Sequence, residues 1–301
     1  MIVLVTAEAM LSRVWKPARI ALAAVLVAVG SCASDGGEIA RKEWAELYSA
    51  YGVALAVAHP DYGAGPLSDF TREDNTLPTE APGTIPIDLV PLPAHLATAP
   101  RKVALDPAVG GNVDVVTIPD TAATEVLRKG YLEGTGRPLR QRRKVERFLA
   151  GLAGAVSAAR LGDLSIGVAL VVELKEPLTY AEIEASGLEG DRVLFPALGP
   201  AHLPLSWSED NCQPLHTAAC EGGTDPVEQF RAWLRGLGPL QRKALTRKAF
   251  DLTAMRSTAD AGLISGVMVD WTPPADALKM VRDPHVRAAY LMGVVQMQII
   301  P

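Results

Sequence analysis

Gly262 to Leu291 reads GLISGVMVDWTPPADALKMVRDPHVRAAYL, and this stretch decides the fold. Leu263 to Trp271 is a short apolar run behind a glycine, the pattern of a buried strand. Thr272 stands where it caps a short helix opening at Pro273, since proline suits the first helical turn. Asp283-Pro284 ends that helix, and Val286 to Val295 is a second apolar strand. The same unit stands upstream. Ser165 to Leu174, SIGVALVVEL, is a valine-rich run that Pro177 closes. Leu178, Thr179, Glu182 and Ile183 have the spacing of a hydrophobic staple around a capping box, and Gly187 stops the helix they open. Arg192 to Phe195 is the next strand. The order is strand, helix, strand, insertion, strand, helix, strand. It predicts an α/β (α+β) fold, a split β-α-β, ferredoxin-like sandwich with helices on one face of the sheet.

The insertion runs from Pro196 to Gly223, and helices follow it. Asp225-Pro226-Val227-Glu228 caps the first, with proline at its first position. Val227, Phe230, Trp233, Leu234 and Leu237 share its apolar face until Gly238-Pro239 breaks it, and residues 240–260 read as further helix. Cys212 and Cys220 bracket seven residues of the insertion. In an oxidising compartment such a pair is most simply a disulfide, and closing so short a loop contributes about 2–3 kcal/mol. The rival is a metal site. Cys212, His216 and Cys220 fall at four-residue intervals, with His202, Glu209 or Asp210 as a fourth ligand, but Pro214 opposes the helix that would align them. The disulfide is the reading taken, and no metal or cofactor is assigned. Trp207, Glu209 and Asp210 form the most site-like polar-aromatic cluster and are the candidate ligand-binding residues. Packing and capping around the insertion would use the same residue types.

Upstream, Val145, Phe148, Leu149, Leu152 and Val156 lie on one helix face, with Gly162 as its stop. The same helix carries the one dense basic patch, Arg137, Arg140, Arg142, Arg143, Lys144 and Arg147. Such a patch reads first as a solvated helix face, and second as a contact for anionic lipids or cell-wall polymers. The α/β domain is expected to span residues 136–301, about 160 residues, enough to bury roughly 70% of its unfolded surface. Residues 60–135 differ. Ten prolines between Pro60 and Pro119 forbid a long helix. Lys102–Leu105 and Val113–Ile118 could form a hairpin across Gly110-Gly111, and the remainder reads as extended or covering chain. In residues 32–59, Asp35 and Glu38 have capping-box spacing, and Trp44, Leu47, Tyr48, Tyr51 and Leu55 form one face of a helix.

At the N-terminus, Arg13, Lys16 and Arg19 precede Ile20–Gly30, eleven residues without a charge. A spanning helix needs about 20 apolar residues, so this run has the proportions of a signal-peptide core. Val29-Gly30-Ser31-Cys32 resembles the lipobox of bacterial lipoproteins, with valine where that motif has leucine. The resemblance implies removal of residues 1–31, lipidation of Cys32 and anchoring to the extracytoplasmic face of the cell membrane. Ordinary cleavage among these small residues would give a secreted protein instead. Met10 is an alternative start.

Composition sets the outer bounds. Apolar residues are 49% and charged residues 21% of 301, ordinary for a globular protein. Lysine plus arginine is 29 against 34 acidic residues, a net charge of −5 that disfavours nucleic acid as a partner. There is no G-x-S-x-G elbow, no H-E-x-x-H and no phosphate-binding G-x-x-x-x-G-K, so no catalytic residue is assigned. Asp283-Pro-His285 could be an acid–base pair but reads better as a turn.

Two segments carry a family resemblance. VALVVELKEPLTYAEI, residues 168–183, is similar to the opening of the C-terminal domain of bacterial sigma-factor regulators. Residues 262–291 are similar to its closing unit, with Gly266, Val267, Leu278, Val286 and Arg287 at matching places. The resemblance covers about 60 residues and implies an extracytoplasmic sensing or interaction domain. Fewer than twenty residues precede the hydrophobic run, so direct binding of a sigma factor is not carried over from the resemblance, only the extracytoplasmic domain. The same strand-helix-strand architecture also resembles propeptide-like inhibitors of subtilisin-type proteases. The expectation is therefore a lipid-anchored, non-enzymatic envelope protein with a membrane contact and a protein partner. An inhibitor of an exported protease, or an exported hydrolase with an unfamiliar site, is the alternative.

Overall fold

The structure is a computed structural model, and it describes residues 35–64, 85–92, 101–105, 127–128, 138–159, 164–198, 203–211, 225–247 and 250–298. The described residues divide into two units between Glu46 and Leu47. In the first, the described residues open helix α1 (Asp35–Ala58). The second unit holds the rest of α1 and every other element below. It is mixed α/β.

Its main sheet has five antiparallel strands in the order β6-β5-β7-β4-β8. These are β4 (Leu164–Leu178), β5 (Arg192–Ala197), β6 (Pro204–Trp207), β7 (Ile264–Thr272) and β8 (Val286–Gln298). Helix α3 (Tyr180–Ser186) joins β4 to β5, and α7 (Pro274–Arg282) joins β7 to β8. Helices α4 (Pro226–Gly236), α5 (Pro239–Arg247) and α6 (Leu252–Ala261) lie between β6 and β7, and α2 (Pro138–Ala159) precedes β4. A second, three-stranded antiparallel sheet is made by β1 (Tyr62–Ala64), β2 (Ile85–Pro91) and β3 (Arg101–Leu105).

Local chemistry explains most of the boundaries. At α3, Glu182 N donates to Thr179 Oγ1 at 3.4 Å and Thr179 N donates to Glu182 Oε2 at 2.8 Å, a complete capping box. Gly187 closes the helix at φ 66°, a left-handed conformation that glycine adopts without strain. At α4, Val227 N donates to Asp225 Oδ1 at 2.7 Å. The expected helix over 240–260 is two helices, because Asp251 caps anew, accepting from Ala254 N at 2.9 Å. Thr272 does not cap α7. It is the last residue of β7, and Pro273 holds the cap position without a side-chain bond. Strand β4 also runs beyond Pro177 to Leu178. The ladder to β7 is irregular between Glu173 and Leu178, which is how a strand tolerates a proline.

The core runs through the centre of the main sheet. Val168 to Val172 are all fully buried, so β4 is covered on both faces. Helix α7 packs on β4 and β8, and α2 packs on α7 and β8. The helices are not the whole cover. Leu92 and Leu127 join Val171, Leu194, Met268, Ala288 and Tyr290 in one buried cluster. Both come from the proline-rich region, which therefore contributes side chains to the core of the main sheet. The end of α1 is tied in as well: Arg192 Nη1 donates to Ser206 Oγ at 3.3 Å, and Ser206 Oγ donates to Ala56 O at 3.0 Å. Lys102–Leu105 is a strand as expected, but its described partner is β2, and Val113–Ile118 lies outside the described residues. Pro86 and Pro91 sit at the two ends of β2, where missing donors disturb the ladder least.

Candidate functional site

Five pieces of chain meet around a cleft of about 330 Å³. Helix α3 brings Tyr180 and Ile183, the following loop brings Glu189 to Asp191, and β5 brings Val193. The end of β6 brings Trp207 to Glu209, and Pro226 comes from the first turn of α4.

The back of the cleft is rigid because it is an aromatic core. Trp207 is fully buried. Its ring lies 5.2 Å from Phe230 and 5.8 Å from Trp233, and Phe195 lies 5.2 Å from Phe230. These separations are those of favourable aromatic pairs. The indole Nε1 donates to Gln229 Oε1 at 3.1 Å, so the buried polar edge has its partner. The loop at the mouth is fixed by a close approach. A Cβ at Gly190 would lie 2.6 Å from Met268 O, so only glycine lets this loop rest on β7. Asp191 Oδ2 accepts from Asp270 N at 2.7 Å, which pins the next residue to the same strand.

The mouth is negative. Burial raises the Tyr180 phenol above its ordinary value, and the carboxylates of Glu184, Glu189, Asp225 and Glu209 raise it further. Half-buried Tyr180 among these carboxylates, with the aromatic core beneath, suits a cationic group: an amine, a guanidinium or a basic stretch of a protein. Ser208 Oγ and both side-chain polar atoms of Asn211 are buried without a partner among the described residues. No histidine or cysteine of the described residues lines the cleft. Among the described residues no three metal-ligating side chains converge.

Of the candidate ligand-binding residues, Trp207 and Glu209 both lie on this cleft, and Asp210 lies in the 3₁₀ turn Glu209–Asn211 beside it. Cys32, Cys212, Cys220, His202 and His216 lie outside the described residues, so the lipidation, disulfide and metal readings have no geometry here. Asp283 and His285 make a turn: Asp283 Oδ1 accepts from His285 N at 2.8 Å. The basic patch divides. Arg142 turns inward to donate to Val286 O at 2.5 Å and Asp283 O at 2.9 Å, while Arg140, Arg143, Lys144 and Arg147 stay outside.

Sequence reasoning missed Tyr180, Glu189 and Asp191, which stand 16 to 27 residues from Trp207 and are brought to it only by strand pairing. It also missed a buried carboxylate. Glu173 on β4 pairs with Arg287 of β8, and Tyr290 OH donates to its other oxygen at 3.5 Å. Burial raises the Glu173 carboxyl above its ordinary range against the pull of Arg287, and burial beside Glu173 pushes the Tyr290 phenol up to about 12. The signal was a single charge inside the apolar run VALVVEL. No family model, no curated protein and no solved structure matches the chain.

Proposed function

We propose that this chain is a lipid-anchored envelope protein, held at Cys32 on the extracytoplasmic face of the cell membrane. Its α/β domain binds a partner in the acidic cleft and performs no chemistry there. The observation that carries the reading is the cleft itself: Trp207 and Glu209 meet Tyr180, Glu189 and Asp191 around one negative mouth. Such a mouth attracts a basic segment of a protein or a small cation, with charge setting encounter and register. The resemblance to sigma-factor regulator domains supports an interaction or sensing role. In the ferredoxin-like reading, β4-α3-β5 and β7-α7-β8 are two interleaved β-α-β units, which agrees with the order β5-β7-β4-β8.

The test is crosslinking capture from envelope fractions with wild type and with the double variant Glu189→Lys/Glu209→Lys. A protein captured by wild type and lost on charge reversal, with the circular dichroism spectrum unchanged, supports the cleft. Equal capture by both sinks it. Palmitate labelling tests the anchor separately: wild type should take label and Cys32→Ser should not.

A second reading, inhibition of an exported protease, draws on β8. This thirteen-residue strand is the edge of the main sheet, and an extended segment of a partner can add to such an edge. Capture of a protease that survives Glu189→Lys/Glu209→Lys would favour it.

A further inference from the structure

We infer that the outer face of α2 docks on an anionic phospholipid surface. Arg140, Lys144, Arg147, Phe148 and Gly151 follow at i, i+4, i+7, i+8 and i+11, one face of the helix, with Arg143 beside them. All six are exposed. None of the four cations has an acidic partner among the described residues. The helix's one acidic residue, Glu146, points off this face and accepts from Arg282 Nε at 2.8 Å. Arg142, held by the carbonyls of Asp283 and Val286, fixes the helix on the domain so that the face is presented rigidly.

Charge alone would suit any polyanion, and two features choose a bilayer. Phe148 stands 44% exposed among the cations and is the one aromatic among the exposed large apolar residues described. An apolar ring gains by entering the boundary between headgroups and acyl chains, and gains nothing from a soluble polyanion. Beyond Phe148 the same side of the helix carries Gly151 and Gly154, and a Cβ at either would meet nothing within 4 Å. That end of the face is therefore open, with nothing packed over it to hold a bilayer away. The chain as a whole is acidic, at −5, so an anionic membrane repels it elsewhere and selects this face. The contact is distinct from the cleft and does not depend on an acyl chain at Cys32.

The test uses the full chain with Cys32→Ser, reconstituted in vesicles, with a photo-crosslinking benzoylphenylalanine in place of Phe148. Lipid adducts at this position should form in phosphatidylglycerol-containing vesicles and be scarce in pure phosphatidylcholine. Lys144→Ala should lower the yield about fivefold, and Arg143→Glu/Lys144→Glu/Arg147→Glu by a hundredfold or more, on the order of the effect of each cation near an anionic surface. The same crosslinker in place of Leu240, 49% exposed elsewhere on the domain, should label no lipid. No adduct at 148, equal yields in the two lipids, or a yield unmoved by Lys144→Ala overturns the inference. So does crosslinking to a co-purifying anionic polymer in place of lipid.

Discussion

Arg287 on β8 reaches across the sheet to pair with Glu173 of β4, whose side chain is only 4% exposed. The arginine stays half in water while the carboxylate does not, so the burden of burial falls on Glu173. Its carboxyl is raised above the ordinary value of 4.5, chiefly by desolvation. An acid raised in the folded state binds its proton more tightly there than in the unfolded chain, so stability falls as pH climbs above the ordinary value. Glu173→Gln removes that loss. The Tm difference, variant minus wild type, should therefore grow between about pH 4 and about pH 7. A difference constant over that range would show that Glu173 does not titrate as described.

Arg287→Ala acts on the same pair from the other side. It leaves a buried carboxylate with only Tyr290 as a partner, a loss of about 1–3 kcal/mol near neutral pH. The loss should shrink in acid, where the proton replaces the arginine. Urea titrations at the two pH values check this, and equal losses at both would place the Arg287 effect in packing rather than charge.

Leu127 is fully buried in the cluster with Leu92, Val171 and Tyr290. Leu127→Ala should cost about 2–5 kcal/mol, the range for buried leucine, and residues 136–301 expressed alone should lose stability for the same reason. A 136–301 fragment as stable as the full chain would show that the proline-rich segment contributes no core.

This cluster marks where the sequence stops being legible. The first β-α-β unit and the helix after the insertion could be read because their signals are local: the Thr179–Glu182 box, the stop at Gly187, the Asp225 cap before Pro226. Leu92 and Leu127 belong to no periodic run, and a solitary leucine among prolines reads the same whether it covers a sheet or faces water. The cleft was half legible for the same reason. Trp207 and Glu209 are neighbours in sequence, whereas Tyr180, Glu189 and Asp191 reach them only because the chain after α3 comes to rest on β7.

Gly190 is the residue that permits that landing. A methyl group there meets Met268 O at 2.6 Å, a strand carbonyl that cannot turn aside. Gly190→Ala should cost about 1–3 kcal/mol, as overpacked sites do, and displace Glu189 and Asp191 together. Gly187→Ala is the control, with open space around it but φ 66°, and should cost about 1 kcal/mol through the backbone alone. Partner capture should fall for Gly190→Ala and hold for Gly187→Ala. Equal capture by both would separate the loop from binding.

Cys212 and Cys220 test the compartment. The insertion leaves the core at Asn211, 1% exposed, and the chain is fixed again where Asp225 caps α4. Both ends of the loop are therefore anchored in the folded state, and a crosslink across 212–220 would act mainly by restricting the unfolded chain. The expected gain is about 2–3 kcal/mol for so short a loop. Protein purified from the envelope should then show no reactive thiol at these positions, and reduction should lower its Tm. Cys212→Ser/Cys220→Ser should have the lower Tm from the start and no response to reductant. Two reactive thiols in envelope-purified protein, with a Tm that reductant leaves unchanged, would remove the disulfide and with it one support for an oxidising location. Stoichiometric zinc released by a chelator, followed by two reactive thiols, would instead establish the metal site that Cys212, His216 and Cys220 could supply.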